Sequence, residues 1–408
     1  MTVQSMKSKI WTDWSDLKNK IVGRRVFFYG CSQDWSLKAL TKIDSKIEGF
    51  IDNDGSFSNE GFLGFPVKKL ADWDLNFSNE FFLITTGQYE QIEEELLTKG
   101  YSPGVDFVCS PDFKNYLEIE KLLNRQCTIL FSSPDYPSEN RARGSKEGGG
   151  LFLLNSQSGK VDRVFRGSFR QFEIVGDFIL AVDHVHGLLC KLDHNFDLVE
   201  SLTLGSSGWC GLAFSEDSRT IWVSNPTTDE IFEVSFEKLA IVASRQLCGQ
   251  INGAGGHHLN DLEYMPGRLL ASYFSFSGDK MRGEVDGGVS AIDGTQFAER
   301  YFDGLNRPHS PKFADGRLWA LESGQGKLIS DDAGYEIDVG GFVRGLDFNA
   351  ELVAVGQSRC MYLAERVYAE TLVEVDCGVR LINWRAKLSR FIAIPDVKNV
   401  HDLRFWSY

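Results

Sequence analysis

Six short segments of this 408-residue chain open with side chains able to carry charge, move a proton or hold a metal. They are RQFEI from Arg170, CGLAF from Cys210, NDLEY from Asn260, HSPKF from His309, RGLDF from Arg344 and HDLRF from His401. Five of the six first positions are polar. Arginine offers a planar, permanently charged fork for carboxylate or phosphate, and histidine titrates near neutrality. Together they suit a small polar or anionic molecule, and neutral imidazoles beside Asn260 suit a divalent metal instead. His258, two residues before Asn260, is expected to face the same way. Asp261 and Ser310 occupy the neighbouring phase and are expected to back the first positions. Glu322, at a strand end beside Ser323, is expected to reach the same mouth. The candidate catalytic groups are therefore His309, His258 and Glu322, and the candidate ligand-binding groups are Arg170, Asn260, Asp261, Ser310, Arg344 and His401. Asn260 is the candidate metal ligand. His184, His186 and His194 fall on outer or loop phases and read as solvated or core histidines.

Only a closed ring of strands brings six such positions together. The segments share an x-x-apolar/Pro-x-aromatic/apolar form, and most run through a turn into an apolar or β-branched strand, as in GDFILAVDH, SRTIWVSN, GRLLASY, GRLWALES and AELVAVGQS. Their spacing of 35 to 57 residues is a propeller-blade period, and the innermost strands of a propeller line its central channel. The last copy, HDLRFWSY, ends the chain after one strand. CTILFSS, GGGLFLL and KVDRVF, from Cys127 onward, form three strands without an inner partner. Pairing the two sets closes the first blade and hides two sheet edges. The expected architecture is a six-bladed propeller over residues 127–408, or seven blades if Cys377 to Ile394 forms its own.

Upstream, a 1–23 extension leads into alternating strand and helix patterns over 24–112, and 113–126 reads as a linker helix. The strands RRVFFYG, KIEGFID and EFFLITTG, with SLKALTKI and YEQIEEELLTKG between and after them, indicate a Rossmann-like parallel α/β domain. Gly30 ends the first strand and Asp52 the second, the positions that meet phosphate and ribose in a nucleotide-type site. The overall charge, 43 basic against 57 acidic residues for a net −14, argues against nucleic acid as partner. No apolar run is long enough to span a membrane and no signal peptide is evident, so a cytoplasmic location is expected. Oligomeric state is left open. The eight cysteines are scattered without CxxC pairs and read as buried thiols.

Tyr29-Gly30, Gly49-Phe50-Ile51-Asp52 and Gly64-Phe65-Pro66-Val67 occur in the order found in the N-terminal domain of PglD-type sugar O-acyltransferases, which residues 24–112 resemble. That resemblance implies a nucleotide-linked sugar or similar anion, although Cys31-Ser32-Gln33-Asp34 stands where the family has further glycines. Residues 127–408 resemble the uncharacterised DUF4915 family through HHLNDLEY at His257–Tyr264, RPHSPKFADGRLWALESGQG at Arg307–Gly326, RGLDF at Arg344–Phe348 and VGQS at Val355–Ser358. PHSPKFADGRLW is more distantly similar to streptogramin lyases, and GLAFSEDSRTIWVSN to the gluconolactonase group, both of which use a divalent metal at the channel mouth. Two readings follow. One is an enzyme, lactonase-like hydrolase or lyase, acting on a sugar-like carboxylate or lactone in carbohydrate or glycan metabolism. The other is a non-catalytic ligand-binding or scaffolding propeller with an α/β docking domain.

Overall fold

The computed structural model describes residues 7–54, 61–76, 79–135, 149–247, 256–278, 285–332, 334–359 and 376–407. The chain divides into two compact units, Met1–Lys121 and Leu122–Tyr408. Among the described residues no helix is long and apolar enough to cross a membrane.

In the first unit α1 (Trp14–Lys20) precedes β1 (Arg25–Tyr29), α2 (Gln33–Lys42), β2 (Ile47–Ile51), β3 (Val67–Lys68), β4 (Glu80–Ile84), α3 (Tyr89–Thr98) and β5 (Phe107–Cys109). The strands form one sheet in the order β3-β2-β1-β4-β5, every pair parallel. Strands apolar along their whole length, such as VFFY and FFLI, are those that need cover on both faces. Val26, Phe28, Phe81 and Leu83 pack on one side with Leu17, Ala39 and Ile43. Phe27, Tyr29, Phe82 and Ile84 pack on the other with Ile92, Leu96 and Tyr101. Ile10 and Leu17 are also fully buried here, so the packed unit begins before Arg24.

Among its described residues the second unit contains six four-stranded antiparallel sheets. The inner strands are Asp402–Trp406, Phe169–Val175, Gly211–Ser215, Leu259–Met265, Pro308–Ala314 and Phe342–Phe348, which define blades one to six. Blade one is closed as expected: Asp402–Trp406 pairs antiparallel with Thr128–Ser133, Leu403 opposite Phe131. Gly378–Asn383 and Leu388–Ala393 are the outer strands of blade six, so there is no seventh blade among the described residues.

Each inner strand has a second edge turned toward the axis, whose amides and carbonyls cannot form a ladder. Unpaired backbone groups in a buried place are costly, and neighbouring blades supply the partners. Ser132, Ser224 and Ser358, on the second strand of their blades, donate to Arg170 O, Asn260 O and Val400 O of the next, and Ser323, one residue past the end of such a strand, donates to Val343 O. The second repeat position works the other way. Gln171 Oε1 accepts from Leu212 N, Asp261 Oδ2 from Ser310 N, Ser310 Oγ from Gly345 N and Asp402 Oδ2 from Phe172 N.

Four inner strands reach this geometry through a one-residue register shift, near residues 169–172, 259–262, 309–312 and 344–346. Ser310 and Gly345 lie at two of them with φ of 51° and 74°. A β-bulge of this kind turns the strand and changes which side chains face the axis. A Cβ at Gly345 would stand 2.9 Å from Asp402 Cα and 3.0 Å from Leu403 N, both backbone. Gly345→Ala is therefore expected to cost more than about 1 kcal/mol, from positive φ and backbone collision together. Thermal unfolding checks this; a melting temperature equal to wild type would show that the bulge relaxes freely.

Candidate functional site

The first repeat positions meet as a buried tier of the channel. Arg170, Cys210, Asn260, His309, Arg344 and His401 are each at most 5% exposed. Cys210 Sγ lies 3.6 Å from His401 Nε2, and the His401 and His309 rings are 6.4 Å apart. His309 is also walled by Phe274 at 5.4 Å and Phe342 at 5.8 Å between ring centres. The Arg344 guanidinium sits 4.9 Å from the Phe342 ring.

The environment of His309 fixes its tautomer. Nδ1 is 3.0 Å from the Arg307 carbonyl oxygen, which can only accept, so Nδ1 carries the hydrogen. Ser323 Oγ lies 2.8 Å from the same nitrogen and gives its own hydrogen to Val343 O at 2.5 Å. The lone pair of the neutral ring is thereby placed on Nε2. Such an arrangement orients an imidazole as a base or a metal ligand.

Asp261 and Ser310 are not behind this tier, as alternation led us to expect, but in it. The bulges at 259–262 and 309–312 place the second position on the axis with the first. Ser310 donates to Asp261 Oδ2 through its amide at 2.8 Å and its hydroxyl at 3.4 Å. Burial raises the Asp261 carboxyl, opposed by these hydrogen bonds and by the charges of Arg344 and Arg170. Cys210, Asp261 and His401 bring three ligand-type atoms within 4.8 Å of one another. Asn260, the expected metal ligand, accepts from Ser224 Oγ through its backbone carbonyl.

Of the other two expected catalytic groups, His258 adopts φ 57°, so strand alternation does not carry through it, and its ring lies 4.6 Å from Phe274, which also walls His309. Glu322 accepts from Asn306 N at 3.1 Å, which commits its carboxylate to a turn. His184 contacts Trp209 O at 3.1 Å, His186 contacts Asp183 at 3.0 Å and His194 contacts Asp177 at 3.4 Å.

A second tier was missed in reading the sequence. The fourth repeat positions are Glu173, Ala213, Glu263, Lys312, Asp347 and Arg404. Five of the six are charged, and that was the visible signal. Arg404 Nη2 donates to Glu173 at 2.6 Å, and its Nη1 donates to Asp402 at 2.6 Å. Lys312 Nζ lies 3.8 Å from Glu263, and Asp347 accepts from Phe405 N at 2.7 Å. Burial alone would raise the Glu173 carboxyl, yet Arg404 and Lys312 outweigh it and hold it below the usual carboxylate range. Burial pushes Asp402 up to about 7 against the pull of Arg404.

The α/β unit has its own cleft of about 560 Å³ at the carboxyl ends of its strands, lined by Tyr29, Gly30, Asp52, Asp54, Thr86 and Glu95 among others. Asn53 Nδ2 donates to Tyr29 Oη at 2.9 Å and to Glu95 at 2.7 Å, while Tyr29 Oη donates to Glu95. Gly30 has φ 97°, and a Cβ there would meet the Thr86 side chain at 2.3 Å. Packing alone accounts for that glycine. Burial pushes the Cys31 thiol up to about 12, with the charge of Asp52 adding to it. Burial also raises Asp52, with Asp54 as its acidic neighbour.

A family model described as "Domain of unknown function (DUF4915)" matches residues 270–406. Comparison with curated proteins gives no match. Similar solved structures include a protein of unknown function from Bacteroides caccae, with 9% identity, 68% of this chain and 98% of that one covered and a TM-score of 0.44. A chain of a nidogen/laminin complex has 12% identity, 68% and 98% coverage and a TM-score of 0.48. A chain of Kuenenia stuttgartiensis hydrazine synthase has 12% identity, 62% and 91% coverage and a TM-score of 0.37. Likeness at these scores carries no function across.

Proposed function

We propose that the upper tier of the propeller channel binds a small anionic molecule, a sugar acid or comparable carboxylate, with Arg170 and Arg344 as its anion clamp. The observation that carries this reading is the convergence of two buried guanidinium groups, Arg170 and Arg344, whose charges both act on the buried Asp261 carboxyl. His309, its Nδ1 hydrogen held by Arg307 O, presents Nε2 as the basic nitrogen to which a proton transfer is assigned if the ligand is transformed. His401 and Asn260 complete the lining.

The test is a thermal-shift screen of sugar acids, small carboxylates and inorganic phosphate on the full chain. A ligand at about a hundred times its Kd adds about 2.7 kcal/mol, or roughly 5 °C for a unit of this size. We expect such a shift in wild type, its loss in Arg344→Met, and retained binding without turnover in His309→Gln. Equal shifts in wild type and Arg344→Met would remove the clamp.

The first unit is read as Rossmann-like, with a nucleoside or sugar bound at its cleft. Support comes from the strand order, which reverses direction between β2-β1 and β4-β5, and from a crevice at the strands' carboxyl ends. The carboxylates of Asp52, Asp54 and Glu95 favour hydroxyl groups over pyrophosphate, so the ligand is assigned without phosphate.

A further inference from the structure

Cys210, Asp261 and His401 are 3%, 2% and 1% exposed and come from three blades, so their convergence is a product of ring closure rather than of local sequence. Tetrahedral zinc, with bonds of about 2.3 Å to sulfur and 2.0 Å to nitrogen, sets those two ligand atoms about 3.5 Å apart. Cys210 Sγ and His401 Nε2 already stand at 3.6 Å. A third atom is ready. Asp261 gives Oδ2 to Ser310, whereas its Oδ1 is buried and accepts no hydrogen bond from the described residues. Leaving such an oxygen unsatisfied is expensive, and a cation satisfies it. The carboxylate is also oriented from outside, since Ser310 Oγ is itself fixed by Gly345 N at 2.9 Å. Hydrogen bonds of that kind aim a metal ligand and sharpen its affinity.

We propose that Cys210 Sγ, Asp261 Oδ1 and His401 Nε2 hold a zinc-class divalent ion in the upper tier of the channel. A thiolate, an imidazole and a carboxylate select zinc and its neighbours over magnesium or calcium, which prefer all-oxygen sites. Three protein ligands leave a fourth position open. Thiolate and carboxylate neutralise the ion's two charges, so the ion and the proposed clamp of Arg170 and Arg344 do not exclude one another. Placing the proposed anion at the open position rests on the reading given above; the metal site itself does not.

The competing account of the 3.6 Å contact is an ordinary hydrogen bond between thiol and imidazole. Elemental analysis and cobalt reconstitution of the full chain, purified without chelator or metal-affinity resin and then offered zinc or cobalt, separate the two. We expect about one ion per chain and, with cobalt, a thiolate-to-metal charge-transfer band. That band should disappear in Cys210→Ser, metal retention should collapse in Asp261→Asn, and His309→Gln should keep both. A wild-type chain that takes up neither ion overturns the site whatever the variants do, as does a cobalt spectrum unchanged by Cys210→Ser. Arg344→Met keeps the two proposals apart. Anion binding that persists in Arg344→Met with the metal intact sinks only the clamp, and an Arg344-dependent anion shift in a metal-free chain sinks only the ion.

Discussion

Deleting residues 401–408 is expected to abolish cooperative folding of the propeller, a larger effect than any single substitution should have. The deleted strand is the inner strand of blade one, paired with Thr128–Ser133 over five residue pairs from Asp402↔Ser132 to Trp406↔Thr128. Its loss leaves Thr128–Ser133 as a new open edge at the axis. It also removes Leu403, which is fully buried, and the Asp402 carboxylate that accepts Phe172 N from blade two. Leu403 alone is worth roughly 1.5–3 kcal/mol of burial, and folded domains stand only about 5–15 kcal/mol above the unfolded state. Circular dichroism and denaturant titration read the outcome: a broad, non-cooperative transition, with a peptide of residues 399–408 restoring cooperativity when added back. A truncated chain that melts as sharply as the full one would mean that closure of the ring contributes little.

The ring and its closure were legible because the six inner strands repeat one pattern and the last copy has no partners downstream. A repeat fixes phase, and phase was enough to bring Arg170, His309, Arg344 and His401 to one axis. It was not enough to say what stands beside them. Strict alternation puts first, third and fifth positions on one face. The extra residue at each of four bulges shifts the phase between the first and fourth positions, which is why Asp261 joined the tier and Glu173 and Lys312 came to a second one, while Arg404 reaches it from a strand in regular register. No bulge was read from the sequence: a glycine such as Gly345 is compatible with one, but Ser310, with φ 51°, is a residue type uncommon in that conformation.

Cys210 was read as the one apolar member of its ring, a fair reading for a thiol in an apolar run. Its meaning depends on His401, 191 residues away, and only the closed ring shows that distance. In the α/β unit the parallel strands within RRVFFYG, KIEGFID and EFFLITTG were read from the sequence, and the short edge strand Val67–Lys68 was not. Gly30 was taken as a phosphate-contact glycine, whereas Thr86, from the neighbouring strand's end, supplies a sufficient steric reason for it. A contact between strands that distant in sequence leaves no local trace.

Arg404→Met is expected to be the most damaging single substitution in the channel, costing about 3–5 kcal/mol and roughly 6–10 °C of melting temperature. Methionine fills much of the space, so the loss is electrostatic. Arg404 donates to Glu173, Asp402 and the Phe172 and Leu403 carbonyls, and it is 6% exposed. Without it, Glu173 keeps only the more distant charge of Lys312, and Asp402 loses its direct counter-ion. The pH dependence identifies the cause. In wild type the Glu173 carboxyl is depressed, so it contributes stability above its ordinary pKa of about 4.5, and that contribution is lost as pH falls through the lower folded value. In the variant burial dominates and the carboxyl is raised, so it destabilises at neutral pH and stops doing so once protonated. The gap between wild type and Arg404→Met should therefore widen as pH rises from about 4 to 8, and Glu173→Gln added to the variant should recover part of the loss at pH 8. Denaturant titrations across that range settle it. A gap that stays constant with pH would assign the cost to packing of the arginine stem against Phe172, whose ring lies 5.4 Å from the guanidinium carbon, and not to the buried charges.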